Sequence, residues 1–250
     1  MNIRIGCCGF PVHRGEYYQT FSVVELQRTF YQLPRAETAR KWRQEAPDDV
    51  KFTLKAWQVI THPPSSPTYR RMSHRVRHQM GNNAGFFQPV ATVWEAWERT
   101  AEIAHLLQAQ VIVFQCPPGF LETEIHINNL YRFFQRISGC DFHLAIELRA
   151  KWQATTLKNL CTDLHLSHCV DPFKEDPVYG PITYLRLHGC PPGKTMYRYQ
   201  YTDADLQFLQ QKVNRYIQSG KSLYCLFNNL TMWNDARRFK QLLEMNAKHT

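Results

Sequence analysis

Residues 184–190 read YLRLHGC, and they alternate: Leu185 and Leu187 form one face, Arg186 and His188 the other. In a strand successive side chains point to opposite sides, so this segment lays a guanidinium and an imidazole side by side on one surface of a sheet. An edge strand would turn that surface to water. In a closed barrel the same surface faces the axis, and the polar pair lies at the mouth.

Similar runs recur along the chain: IRIGCCG (3–9), SVVELQ (22–27), KFTLKAW (51–57), QVIVFQC (110–116), HLAIELR (143–149), HLSHCVD (165–171), ITYLRLHG (182–189) and SLYCLFNN (222–229). Helical periodicity falls between most of them, over 35–46, 93–108, 122–138, 155–161, 203–219 and 233–247. In TDADLQFL, Thr202 is placed as a helix cap and Asp205 as its capping-box partner. Strand–helix–strand alternation implies a parallel sheet, and eight such strands in 250 residues fit an α/β fold of the closed (β/α)8 TIM type. The expected departures are short or missing helices after strands one and six. A single domain is expected over residues 1–250.

Composition narrows the function classes. The chain is 44% hydrophobic and has no run apolar enough to span a bilayer, which points to a cytoplasmic protein with no membrane partner. Eight cysteines lack CxxC spacing and read as reduced thiols. The formal net charge is +9, and no acidic residue occurs between Asp49 and Glu95. Lys51, Lys55, Arg70, Arg71, Arg75 and Arg77 fill that interval and favour anionic partners.

The segments IGCCGF, VVELQRTFYQLP, FTLKAWQVITHP, VFQCPPGF, IELRAKW, VDP, YLRLHG with YRYQY, and FNN with DARRF resemble, in order along the chain, the YecE-like barrel family, a domain of unknown function. The resemblance implies a TIM-type barrel and brings no reaction with it. Cys7-Cys8, Gln27-Arg28 and the sequence ELRAKW depart from the common family pattern.

TIM barrels carry their reactive groups at the C-terminal strand ends. Those ends hold Glu25, Lys55, Gln115, Glu147, Arg149, Asp171, Arg186, His188 and Asn228. Glu25, Lys55, Glu147 and His188 are the expected catalytic groups, with the carboxylates as bases and His188 or Lys55 as acid. Gln115, Arg149, Asp171, Arg186, Tyr199 and Asn228 are the expected substrate contacts. Cations in the same layer as the carboxylates oppose a divalent metal and suit a phosphate or carboxylate, so no metal or cofactor is expected. The alternative is a structural ion-pair network that plugs the barrel.

GCPPGKT has the wrong glycine spacing for a nucleotide loop, and its prolines remove N–H donors. His74 and His78 read as part of a basic turn, and Cys7-Cys8 as packing thiols. The long segment from Val59 to Val90 is expected to form a lid or binding loop over the mouth. The expected function is an enzyme on a small anionic substrate. The second reading is a nucleic-acid-binding or nucleic-acid-processing protein, gripping phosphates with Arg70, Arg71, Lys194 and Arg198.

Overall fold

The computed structural model describes residues 3–73, 83–190 and 195–247. Eight parallel strands run β1 (Ile3–Cys8), β2 (Val23–Leu26), β3 (Lys51–Lys55), β4 (Val111–Gln115), β5 (His143–Glu147), β6 (Ser167–His168), β7 (Thr183–Leu187) and β8 (Leu223–Phe227). They are ordered β6-β5-β4-β3-β2-β1-β8-β7. One parallel bridge, Val170 to Leu185, joins the two ends of that order. The molecule is therefore the expected TIM-type barrel with one thin seam.

Alternation divides the strands between two cores. Outward side chains such as Leu54, Ile112, Phe114, Ile146, Leu185 and Leu187 pack beneath the helices. Inward ones, among them Val23, Val111, Val113, Ala145, Cys169, Tyr184, Tyr224 and Leu226, fill the bore. Helices Ala36–Glu45, Ala91–Leu107, Glu124–Arg136, Ala154–Asp163, Asp203–Ile217 and Met232–Ala247 lie within a few residues of their expected bounds. At Asp203–Ile217 both halves of the capping box form: Thr202 Oγ1 accepts from the Asp205 N–H at 3.2 Å, and Asp205 Oδ2 from the Thr202 N–H at 2.8 Å.

Both expected irregularities have a local cause. After β1 a seven-residue helix, Arg14–Thr20, starts beyond Pro11, and His13 Nδ1 accepts from the Gly15 N–H. After β6 the stretch VDPFKEDPVYGPI forms no helix, since Pro172, Pro177 and Pro181 each remove a donor. That stretch folds back along β6 instead, where the His168 N–H donates to Tyr179 O at 2.9 Å.

The described parts of Val59–Val90 are anchored at both ends. Val59, Ile60, Ala84 and Phe87 are buried in the core. The N–H groups of Gly85, Phe86 and Phe87 donate to carbonyls in the short helix Gln58–Thr61, tying the returning chain to it. At Gly85 φ is +85°, and a Cβ would lie 2.3 Å from the His62 backbone, so only glycine fits. Residues 74–82, including His74 and His78, lie outside the described residues.

Candidate functional site

The two-residue period turns the end of every strand's inward face toward the mouth, and the bore's geometry decides which side chains meet. One layer down, Tyr184 of β7 reaches across the axis: its hydroxyl lies 2.7 Å from Thr53 Oγ1 of β3 and donates to Glu25 Oε2 of β2 at 3.0 Å. A carboxylate can only accept, so the tyrosine proton goes to Glu25 and Thr53 donates to the phenol oxygen. β3 and β7 thus face each other across the barrel.

Above that contact lies Arg186, 1% exposed. It donates to Glu25 Oε1 at 2.9 Å and forms a short ion pair with Glu147 Oε2. Glu147 Oε1 in turn meets Arg149 at 2.6 Å. Gln115 Oε1 accepts from both guanidiniums at 3.4 Å. Burial alone would raise the Glu147 carboxyl, but Arg186 and then Arg149 hold it well below the usual carboxylate range. Arg186 is therefore committed to two buried carboxylates and does not stand open for a ligand.

The other groups gather around this tier. His188 is 1% exposed, and burial lowers its pKa from the usual 6.5, against the opposing pull of Glu147 and Asp171. Its Nε2 lies 2.9 Å from Arg149 Nη2, and a guanidinium only donates, so Nε2 carries the lone pair and Nδ1 the proton. Nδ1 has no hydrogen-bond partner and sits 3.5 Å from Asp171 Oδ2. Asp171 accepts from the backbone N–H groups of His188 and Phe173, which fixes it beneath the ring.

Arg149 differs from Arg186. Its side chain is 18% exposed, and its contacts to Gln115, Glu147 and His188 all use Nη2. Nε and Nη1 make no hydrogen bond among the described residues. This guanidinium borders a cavity of about 310 Å³ at the ends of β5, β6 and β7, shared with Lys151, His168, Asp171, Lys174 and His188.

Lys55, 6% exposed, ends β3. Its ammonium rests 3.7 Å from the centroid of the Phe30 ring, and among the described residues it makes no hydrogen bond and has no carboxylate within 4.0 Å. Burial and Arg186 lower its pKa from 10.5 to about 7, against the opposing pull of Glu147 and Glu25.

The remaining expected residues lie elsewhere. Asn228 accepts from Gln27 Nε2 at 2.6 Å on the β1–β2 side of the mouth. The Tyr199 hydroxyl donates to Asp205 at the start of helix Asp203–Ile217, away from the polar tier. The tyrosine beside the site is Tyr197, packed edge-on to His188 at 5.8 Å. Arg70, Arg71 and Arg198 are exposed in 3-10 turns after β3 and β7, and Arg71 stacks on Tyr31 at 4.9 Å. Lys194 lies outside the described residues. His62, in the quoted ITHP, was not among the expected groups; it is buried against Phe30, and burial with Lys55 lowers its pKa to about 3. Its position directly before two prolines was the available signal.

All eight cysteines are free, and no described helix is long and apolar enough to cross a membrane. Among the described residues no group of His, Cys, Asp and Glu is arranged to hold a metal.

Barrel and mouth together define a (β/α)8 protein with a charged tier at the C-terminal strand ends. A xylose isomerase domain protein from Salmonella typhimurium shares the fold with a TM-score of 0.61 at 14% identity, covering 97% of this chain and 95% of that one. Residues 14–250 match the family described as "Protein of unknown function DUF72", and the chain belongs to that family. A DUF72 family protein from Enterococcus faecalis superposes with a TM-score of 0.74 at 19% identity over 97% of both chains. The UPF0759 protein YunF of Bacillus subtilis is 23% identical over 257 residues, covering 92% of this chain and 84% of that protein.

Proposed function

We propose that this barrel is an enzyme that binds a small phosphate- or carboxylate-bearing substrate at its mouth and moves protons on it by acid/base chemistry. The observation that carries this reading is the divided guanidinium of Arg149. One nitrogen, Nη2, holds Glu147, Gln115 and His188; Nε and Nη1 make no hydrogen bond among the described residues, and Arg149 lines the cavity beside Lys151 and Lys174. An oxyanion matches a guanidinium fork in bidentate fashion.

Proton transfer falls to His188. It is neutral at physiological pH, with its Nδ1 proton toward Asp171 and its Nε2 lone pair covered by Arg149. An anion drawing the Arg149 fork toward the cavity uncovers Nε2, so the base is freed when substrate is bound. Glu25 and Glu147 hold the guanidiniums in place, and Lys55 adds an amine that is partly uncharged near neutrality. Both glutamates of the tier are already bound to guanidinium groups, whose positive charge opposes a hard cation beside them.

The test is a melting series with inorganic phosphate, phosphorylated sugars and small carboxylates. A matching anion at about a hundred times its dissociation constant should stabilise the wild type by ~2.7 kcal/mol. Arg149→Gln should lose that shift. His188→Asn should keep it, while losing exchange of substrate C–H with heavy water. Equal shifts in wild type and Arg149→Gln, or none in either, would defeat the proposal.

A further inference from the structure

We propose that Lys55 is a covalent catalytic residue, forming an imine with an aldehyde or ketone that also carries the anionic group, so that the substrate class is a phosphorylated or carboxylated carbonyl compound. The proposal rests on the anion-binding reading of the mouth and adds a reactive amine to it.

Placement is the first support. Lys55 ends β3 on its inward face, and the Thr53–Tyr184 contact one layer below shows that this face looks directly at β7. Lys55 therefore points across the mouth toward Arg186, whose charge acts on it. Thr29 Oγ1 lies 2.7 Å from the Lys55 carbonyl and helps fix the backbone there.

The second support is the amine's surroundings. A structural lysine at a barrel end is normally paired, because an unpaired buried ammonium is costly. Two carboxylates occupy the same tier, yet Arg186 and Arg149 take them and leave the amine against an aromatic ring. Burial and the neighbouring cations favour loss of the proton, against the hold of the ring face on the ammonium, and the neutral amine is the nucleophile. The groups acting on its charge are Arg186, Arg149, Glu147 and Glu25, with His62 packed beyond Phe30.

The chemistry balances without an added oxidant or reductant. The neutral amine attacks the carbonyl carbon, a C–N bond forms, and the C–O bond breaks. The oxygen leaves as water carrying the two amine hydrogens, and C=N remains. Protonated at nitrogen, the imine draws electrons from the neighbouring carbon, whose proton passes to His188 Nε2.

The experiment traps the imine. The protein is incubated with glyceraldehyde 3-phosphate, dihydroxyacetone phosphate, glyoxylate or pyruvate in the presence of cyanoborohydride, which delivers hydride to C=N, and the adduct is located by peptide mass. At about pH 8 an amine of pKa near 7 is neutral on the order of a hundredfold more often than a surface lysine. Lys55 should therefore be labelled roughly tenfold or more faster than other lysines, with a rate half-maximal near pH 7. Inorganic phosphate should slow it, and Lys55→Met should lose the adduct. Labelling spread over surface lysines with none favoured at Lys55 would overturn the inference, even if anions still raise the melting temperature. An adduct at Lys55 that phosphate does not slow would keep the imine and remove the anion site.

Discussion

The charge of Arg186 is engaged twice, by Glu25 and by Glu147, inside a sheet that excludes water. Removing one partner of a buried pair leaves the other charges desolvated and unmatched, a loss of ~3–5 kcal/mol. Arg186→Met should lower stability by that amount in urea unfolding, and the same change in a Glu25→Gln, Glu147→Gln background should cost much less. Wild-type stability in the single variant would show that the pairs hold nothing. The polar identity of each strand end was legible from the two-residue period alone. Which charges pair was not, since Glu25, Glu147 and Arg186 come from β2, β5 and β7 and meet only once the barrel has closed. Which tyrosine of the loop after β7 lies beside His188 was not legible either, because Tyr197 and Tyr199 lie around a 3-10 turn, where alternation gives no side.

Among the elements, β6 is the weak member. Its ladder to β5 is two residues long, and β7 is joined to this side by the Val170–Leu185 bridge, whereas β1 and β8 pair over five positions. The bridge rests on Arg186 N–H to Val170 O at 2.9 Å and Val170 N–H to Tyr184 O at 3.3 Å. Backbone bonds at such a seam open in local fluctuations long before the global transition. Amide exchange at Val170 and Arg186 should be faster than at Ile5 or Cys225 in the β1–β8 ladder, and equal protection would show the seam to be as firm as the rest. The absence of a helix after β6 was readable from its three prolines. The buried course of Val59–Ile60 and Phe87 was not, because proline, serine and arginine dominate the segment between them and conceal two apolar anchors.

For the whole molecule, a formal charge of +9 attracts anions of any size, and the exposed Arg70, Arg71 and Arg198 lie after β3 and β7, on opposite sides of the mouth. If those residues track a nucleic-acid backbone, affinity for single-stranded DNA should fall steeply with salt, and Arg70→Gln with Arg71→Gln should shallow the log–log slope by ~1–2 units. Absence of binding at low salt, or binding indifferent to salt, would remove that role. The barrel itself was legible because eight apolar runs at regular spacing admit few arrangements. The charge total gave no hint that Arg186 is already engaged by two carboxylates.

The tyrosine tier has one further consequence. Beneath Arg186 the bore is filled by Tyr184, Tyr224, Val111, Val113 and Leu226, all buried, and Tyr184 is tied to β2 and β3. The barrel is thus a blind well. Whatever enters by the mouth must leave by it, so product has to depart before fresh substrate can arrive, and each will compete directly with the other for the same doorway.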